Sequence, residues 1–225
     1  MKKILLLFVC LFVCWALFAQ QRIKVACVGN SITYGTGLAD RATQSYPVQL
    51  QKLLGEHYEV ENFGKPGATL LNQGHRPYTR QEEYRKALDF AGDIVVIHLG
   101  INDTDPRDWP NYRDSFVTDY LNLMDTFRKA NPDVRIIIAR MTPIADRHNR
   151  FLSGTRDWHG EMQTAIETVA HYAGVQLIDF REPLYPYPFL LPDAVHPTAE
   201  GAAIMAKTVY SAITGDYGGL KSRDS

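Results

Sequence analysis

The sequence predicts a three-layer α/β domain built on a parallel sheet of about five strands, with helices on both faces. Short runs rich in β-branched residues alternate with longer amphipathic stretches along most of the chain. The run Asp93–Leu99 is almost continuously apolar, as is typical of a strand that helices cover on both faces. Alternation of this kind favours right-handed crossovers between parallel strands. The length suits one domain.

Each element has its own local signal. Runs bounded by polar or turn residues predict five strands, at Arg22–Val28, Tyr58–Phe63, Asp93–Leu99, Val134–Ala139 and Val175–Phe180. Apolar residues at helical spacing predict four helices, at Ser45–Leu54, Gln81–Phe90, Asp114–Ala130 and Thr155–Ala173. Gly55 provides the stop for the first of them. Thr198 is predicted to cap a last helix that reaches about Ile213.

The start of the chain has the features of an export signal. A charged Met1-Lys2-Lys3 precedes an apolar run of 16 residues that ends at Ala19. A bilayer crossing needs about 20 residues, so the run is short for a membrane anchor. We predict a signal peptide over 1–19, one domain over 20–214 and a flexible tail over 215–225. A retained signal-anchor, or lipoprotein processing at Cys14, are the alternatives.

The amino-acid composition indicates which binding partners and which cellular compartment are compatible with the chain. Removal of the signal would leave Cys27 as the one cysteine, which excludes an intramolecular disulfide and suits a small buried apolar role. An exported chain of this kind fits a bacterial periplasm or secretion. The charge is close to balanced and no Lys/Arg tract occurs, so neither nucleic acid nor an anionic membrane surface is predicted as a partner. The histidines lack metal-ligand spacing, so no metal is predicted.

Chemistry-bearing residues follow the predicted strands, where ligands bind in parallel sheets. The segments are Gly29-Asn30-Ser31, Asn62-Phe63-Gly64 continuing to Gly67, Gly100-Ile101-Asn102-Asp103 and, before the last helix, Asp193-Ala194-Val195-His196. Taken singly, each is typical of a turn, a cap or a loop. Their joint occurrence at one edge of one sheet favours a catalytic site.

These residue types match the needs of a serine nucleophile. Ser31 needs a base to accept its proton, and His196 is the candidate. Asp193 lies three residues before His196 and can fix its tautomer. The oxyanion of a tetrahedral intermediate needs donors. The predicted donors are the backbone N–H groups of Gly64 and Ser31 and the Asn102 amide.

In this order the motifs resemble the SGNH branch of the GDSL esterase/acylhydrolase family over about residues 23–212. The matching residues are Ser31, Gly64, Asn102 and His196, with Asp193 completing a triad. Asn30 departs from the Asp that the family often carries there. The resemblance implies a flavodoxin-like sheet of order 2-1-3-4-5 and ester hydrolysis without a metal or cofactor. No Gly-x-Ser-x-Gly elbow occurs.

The substrate is predicted to be an O-acetylated saccharide or another small ester. Aromatic and polar side chains share the predicted loops, and Tyr78, Arg80 and Trp109 are predicted substrate contacts; loop packing is the alternative role. The stretches 29–46 and 62–78 are similar to exported bacterial carbohydrate esterases, including sialate O-acetylesterase-like members. A sialate substrate would also need a cation for its carboxylate, which Arg76, Arg80 or Arg147 could supply. A lysophospholipase or thioesterase, or a non-catalytic glycan-binding domain, are the alternative functions.

Overall fold

The computed structural model describes residues 22–149 and 156–216. The predicted signal peptide over 1–19 lies outside the described residues, as does the predicted tail from residue 217 onward. Within the described part of the chain, no helix has both the length and the apolar character that a bilayer crossing requires.

Five parallel strands form one sheet in the order β2-β1-β3-β4-β5, which confirms the predicted order. The strands are β1 (Ile23–Gly29), β2 (Tyr58–Gly64), β3 (Ile94–His98), β4 (Arg135–Arg140) and β5 (Gln176–Asp179). Each predicted strand is present, with its ends within one residue of the prediction, because β-branched runs between turn residues have little alternative to a buried strand.

The α-helices in the described ranges are α1 (Ser31–Tyr34), α2 (Arg41–Gln44), α3 (Tyr46–Leu54), α4 (Glu82–Phe90), α5 (Trp109–Tyr112), α6 (Phe116–Ala130), α7 (Arg156–Ala173) and α8 (Ala199–Thr214). The five longer ones were predicted. Helices α1, α2 and α5 were not, because four residues are too few to show a helical period. Thr198 caps α8 as predicted, since its side chain accepts the N–H of Gly201.

Helices lie on both sides of the sheet. Helix α3 packs against α8, whereas α4 packs against α6, which in turn packs against α7. The centre of the sheet is therefore apolar on both faces, and every residue of β3 is buried. Cys27 lies in this core, and burial raises the pKa of its thiol to about 12. It is a small apolar packing residue, as predicted.

The register of the sheet places the candidate motifs level with one another. Gly29, the last residue of β1, pairs with Gly64 at the end of β2 and with His98 at the end of β3. The segments that follow these three strands consequently leave the sheet at one edge. This is the edge at which parallel α/β sheets bind ligands.

Candidate active site

Ser31 is the first residue of α1 and leaves the sheet directly after β1. The fully buried Asn30 caps this helix, because its Oδ1 accepts the N–H of Ile32 at 2.9 Å. Gly35 ends the helix after one turn in the left-handed conformation. The sequence predicted a tight turn here. The observed single helical turn has the same effect and holds the Ser31 side chain at the sheet edge, 7% exposed.

His196 joins Ser31 to Asp193. Its Nε2 lies 2.9 Å from the Ser31 Oγ, and its Nδ1 lies 2.5 Å from the Asp193 Oδ2. A carboxylate can only accept, so Nδ1 carries the proton and Nε2 is left to accept from the serine hydroxyl. The structure thus brings together the three side chains that the sequence predicted, in the arrangement that makes a serine nucleophilic.

The turn from Asp193 to His196 is held by its own carboxylate. Asp193 Oδ1 accepts the backbone N–H groups of Val195 at 3.0 Å and of His196 at 2.7 Å. Partial burial raises the pKa of the Asp193 carboxyl, but the bonds from these N–H groups and from the imidazole outweigh it, and the pKa lies below its ordinary value. The carboxylate therefore stays charged opposite the imidazole.

Asn102 follows β3 in a short 3₁₀ turn, Ile101–Thr104. Its Nδ2 donates to the carbonyl oxygen of Ala68 at 2.9 Å. The amide has two hydrogens, so one is left for a ligand. This bond also places Asn102 beside the segment that follows β2.

Gly64 is a correction to the prediction. Its N–H donates to the Asn62 Oδ1 at 2.9 Å and so points at that side chain rather than at an oxyanion. A Cβ on Gly64 would lie 2.2 Å from the backbone nitrogen of Tyr34, so α1 packs on this position. The absent side chain therefore allows close approach for helix packing rather than for donation to a ligand.

Gly67 is the donor candidate that the sequence did not single out. Its N–H forms no hydrogen bond to any residue in 22–149 or 156–216, and its φ of +75° favours glycine. It directly precedes Ala68, to which Asn102 is bonded. Gly64 and Gly67 are only three residues apart, and the sequence alone could not show which of them has a free N–H. The backbone N–H of Ser31 likewise has no acceptor among the described residues.

Buried carboxylates fix the loop that carries Gly67. Asp103 accepts the N–H groups of Leu70 and Leu71 at 2.9 and 2.8 Å. Further along, Asp119 binds Asn72 through its backbone and side chain. Burial raises the pKa of Asp103 to about 7. The sequence placed Asp103 in a loop or cap, and the structure shows that it holds the loop beside Asn102.

Two of the three predicted substrate contacts are packing residues. Tyr78 is completely buried, and its hydroxyl donates to the Phe63 carbonyl at 2.8 Å. Trp109 is 4% exposed, and its Nε1 donates to Glu161 at 2.7 Å. Both predictions are wrong, because each ring is packed in the core and its polar atom is already bonded within the protein. Arg80 is exposed, and its predicted contact stays a prediction.

One histidine close to the site has a structural role. His98 is fully buried beneath the sheet edge, and burial lowers its pKa to about 3. It is a core histidine. Within the two described ranges, no group of three or more His, Cys, Asp or Glu side chains is placed to hold a metal ion.

Comparison with known proteins agrees with this geometry. The model of the GDSL-like lipase/acylhydrolase family matches residues 27–204. An acetylxylan esterase of Xylanibacter ruminicola is 33% identical over 215 residues, which cover 86% of this chain and 44% of that protein. The chain thus spans less than half the length of this curated relative.

Solved structures show the same fold at low sequence identity. An acetyl xylan esterase has a TM-score of 0.66 at 22% identity, with 85% of this chain and 100% of that chain covered. A carbohydrate acetylesterase from Sinorhizobium meliloti has a TM-score of 0.66 at 17% identity, with 87% and 99% covered. An aryl esterase of M. smegmatis, solved with an inhibitor, has a TM-score of 0.69 at 15% identity, with 85% and 98% covered.

The family model covers most of the chain, the curated relative passes 30% identity, and the strand order and the positions of Ser31, Asn102 and His196 agree with the resemblance drawn from the motifs. The chain is therefore a member of the GDSL-like lipase/acylhydrolase family.

Proposed function

We propose that the protein is a serine esterase that removes acetyl groups from carbohydrates through the triad Ser31–His196–Asp193. The observation that carries the proposal is the unbroken path of hydrogen bonds from the Ser31 Oγ through both ring nitrogens of His196 to Asp193. A general base in contact with a hydroxyl, and oriented by a carboxylate, is the recurring requirement for acyl transfer by serine.

The reaction has two halves. Ser31 Oγ attacks the acetyl carbonyl carbon while its proton passes to His196 Nε2, and the tetrahedral intermediate collapses as that proton moves to the departing sugar oxygen. The products are the free sugar hydroxyl and an acetyl-serine. Water then gives a proton to His196 and attacks the acetyl carbon. Collapse releases acetate and returns the proton to Ser31.

Three N–H groups are proposed to stabilise the oxyanion: the backbone N–H of Ser31, the free hydrogen of the Asn102 amide and the backbone N–H of Gly67. The first two were predicted, and Gly67 takes the place predicted for Gly64. None of the three hydrogens has an acceptor among the described residues. Donors that are fixed before reaction stabilise the transition state without reorganisation.

The carbohydrate substrate is supported by the relatives. The curated relative is an acetylxylan esterase, and two of the structural neighbours are an acetyl xylan esterase and a carbohydrate acetylesterase. An acetylated xylan is accordingly the first substrate that we propose. Sialate specificity has weaker support. Arg76, Arg80 and Arg147 are all exposed, but the guanidinium groups of Arg76 and Arg147 are bonded to backbone carbonyls, which leaves Arg80 as the candidate cation. We also propose that the protein is exported.

The test measures acetate released from acetylated xylan, acetylated mannan and O-acetyl sialic acid, beside aryl esters from acetyl to octanoyl. We expect release from acetylated xylan and a fall in aryl ester turnover with acyl length. Ser31→Ala should lower turnover by about 10⁴ or more with an unchanged melting temperature. Near-full activity of Ser31→Ala would contradict the triad. Rates that rise with acyl length would instead favour a lysophospholipase or thioesterase.

A further inference from the structure

The segment between β5 and the triad turn presents aromatic rings to solvent. We call residues 181–191 the aromatic segment. Its leucines, Leu184, Leu190 and Leu191, are buried, whereas Tyr185, Tyr187 and Phe189 are 58%, 46% and 67% exposed. Exposed rings of this size beside a catalytic site are typical of interaction surfaces. The triad does not use them.

Hydrogen bonds to backbone carbonyls hold the backbone of the aromatic segment in place. The Tyr185 N–H donates to the Arg181 carbonyl at 2.8 Å, and the Leu190 N–H donates to the Tyr187 carbonyl at 2.9 Å. The guanidinium of Arg147 reaches across and donates to the carbonyls of Pro188 and Leu191. The backbone of the segment is thus fixed before a ligand binds, so binding costs little conformational entropy.

A groove separates the aromatic segment from the residues that follow β4. It has a volume of about 290 Å³, and its walls include Pro143, Ile144 and Tyr185. The same three residues border a second cavity of about 460 Å³ that continues the groove. Together they have the size of a typical small-ligand site.

The groove reaches the catalytic turn. Ala145 and Leu191 line it. The N–H of Ala145 donates to the carbonyl of Ala194, between Asp193 and His196, at 2.8 Å. A chain lying in the groove would therefore run alongside the triad turn.

The linings of the two parts differ in chemistry. The first is mostly apolar, with Pro143, Ile144 and Leu191 beside the Tyr185 ring. The second adds the polar side chains of Thr164, Glu167, Arg140 and Arg181, which can bond hydroxyl groups. A pyranose has apolar C–H faces and a rim of hydroxyls, so it matches such a mixed lining. A long acyl chain matches only the first part, because the polar groups of the second would lose their hydration without replacement.

We propose that the groove walled by Tyr185 is a glycan subsite, which binds sugar units of the polysaccharide next to the unit whose acetyl group is removed. The proposal deepens the carbohydrate esterase activity proposed above and rests on it. Tyr185 is then a specificity-determining residue for polymeric substrates. It has no part in the bond-breaking steps, which need only the triad and the oxyanion donors.

The first test compares Tyr185→Ala with the parent on acetylated xylo-oligosaccharides of increasing length and on an aryl acetate. We expect a loss of about tenfold or more in kcat/KM on the longer oligosaccharides, mainly through KM, because truncation of an aromatic anchor typically costs this much affinity. Turnover of the aryl acetate should stay within about twofold. Tyr172→Ala is the matched control. Its ring is 76% exposed at the end of α7, which leads into the opposite, amino-terminal edge of β5.

The second test measures binding without turnover. Calorimetry with unacetylated xylohexaose on Ser31→Ala should detect binding, and adding Tyr185→Ala should weaken it about tenfold or more. The subsite would be overturned if Tyr185→Ala lost equal kcat/KM on the oligosaccharides and on the aryl acetate. A loss confined to octanoyl esters would also overturn it, as would an equal loss in Tyr172→Ala. Binding of xylohexaose without acetate release by the parent protein would support the subsite and contradict the esterase activity. Acetate release by the parent protein, with no effect of Tyr185→Ala, would support the esterase activity and contradict the subsite.

Discussion

The backbone N–H of Ala145 donates to the carbonyl oxygen of Ala194 at 2.8 Å. This bond ties the segment after β4 to the turn that carries Asp193 and His196. Ala194 itself has a φ of +75° and is 2% exposed. A buried alanine in the left-handed region is strained, and the carboxylate of Asp193 together with this bond holds it there.

Substitution of Ala194 should show that strain directly. Ala194→Gly is expected to keep the free energy of unfolding within about 1 kcal/mol of the parent, on the stabilising side, because glycine adopts positive φ without steric cost. Ala194→Val should lower it by about 2 kcal/mol or more, since a β-branched residue is a conformational outlier there. Urea unfolding of both variants measures the difference. Equal stability of Val and Gly at this position would contradict the strain.

Asn102→Ala should lower kcat on an aryl acetate by about 10²–10³ with little change in KM, because an oxyanion donor acts mainly in the transition state. Asn111→Ala is the matched control, since the Asn111 amide also donates to backbone carbonyls but is exposed. Initial rates and melting temperatures are measured together. A loss of activity that tracks a fall in melting temperature would show that Asn102 acts only by holding Ala68.

Asp103→Asn should change how stability depends on pH. The folded state holds the Asp103 proton up to about pH 7, whereas the unfolded chain releases it near 4. Asp103 therefore makes the parent lose stability as pH rises through this window, by up to about 1.4 kcal/mol per unit. Asparagine cannot titrate. Its NH₂ group would face one of the two backbone N–H donors, which should lower the free energy of unfolding by about 1–3 kcal/mol.

Urea unfolding at pH 5 and pH 8 tests this. The variant should be less stable than the parent at pH 5, and the gap should narrow at pH 8. A gap that is the same at both values would show that the buried carboxyl of Asp103 is ionised throughout.

His98→Phe should make the protein less sensitive to acid. Burial keeps His98 uncharged in the folded state down to about pH 3, and its ring packs edge-on against Phe180 at 5.1 Å. The unfolded chain takes up the proton near pH 6.5, so the parent loses up to about 1.4 kcal/mol per unit below that value. Phenylalanine can preserve the ring contact without titrating.

The measurement is urea unfolding of parent and variant at pH 7.5 and 4.5. The variant should lose less stability between the two values. Burial also lowers the pKa of His159, to about 4, so His159 likewise makes the protein lose stability in acid. It is present in both proteins, so some loss remains in the variant. An unchanged pH dependence would contradict the role of His98.

Local signals account for much of what the sequence predicted. The five strands and the longer helices follow from apolar runs and helical periods, and these are properties of neighbouring residues. The motif order then placed Ser31, Asn102, Asp193 and His196 at one sheet edge, because parallel strands end there together. The 2.9 Å contact between His196 and Ser31 spans 165 residues. It was predicted from the order of the motifs and from the base that a serine nucleophile needs.

Which groups are free and which are covered depends on the tertiary structure. Whether Gly64 or Gly67 has a free N–H depends on where the Asn62 side chain and α1 lie. The spacing of the glycines in the sequence does not predict either position. Tyr78 and Trp109 looked like loop aromatics in the sequence, while packing buried them and left Tyr185 exposed. The motifs in the sequence predicted the fold, the family and the residues that meet at Ser31. Burial and hydrogen-bond partners come from contacts between residues far apart in the chain, which no local pattern specifies.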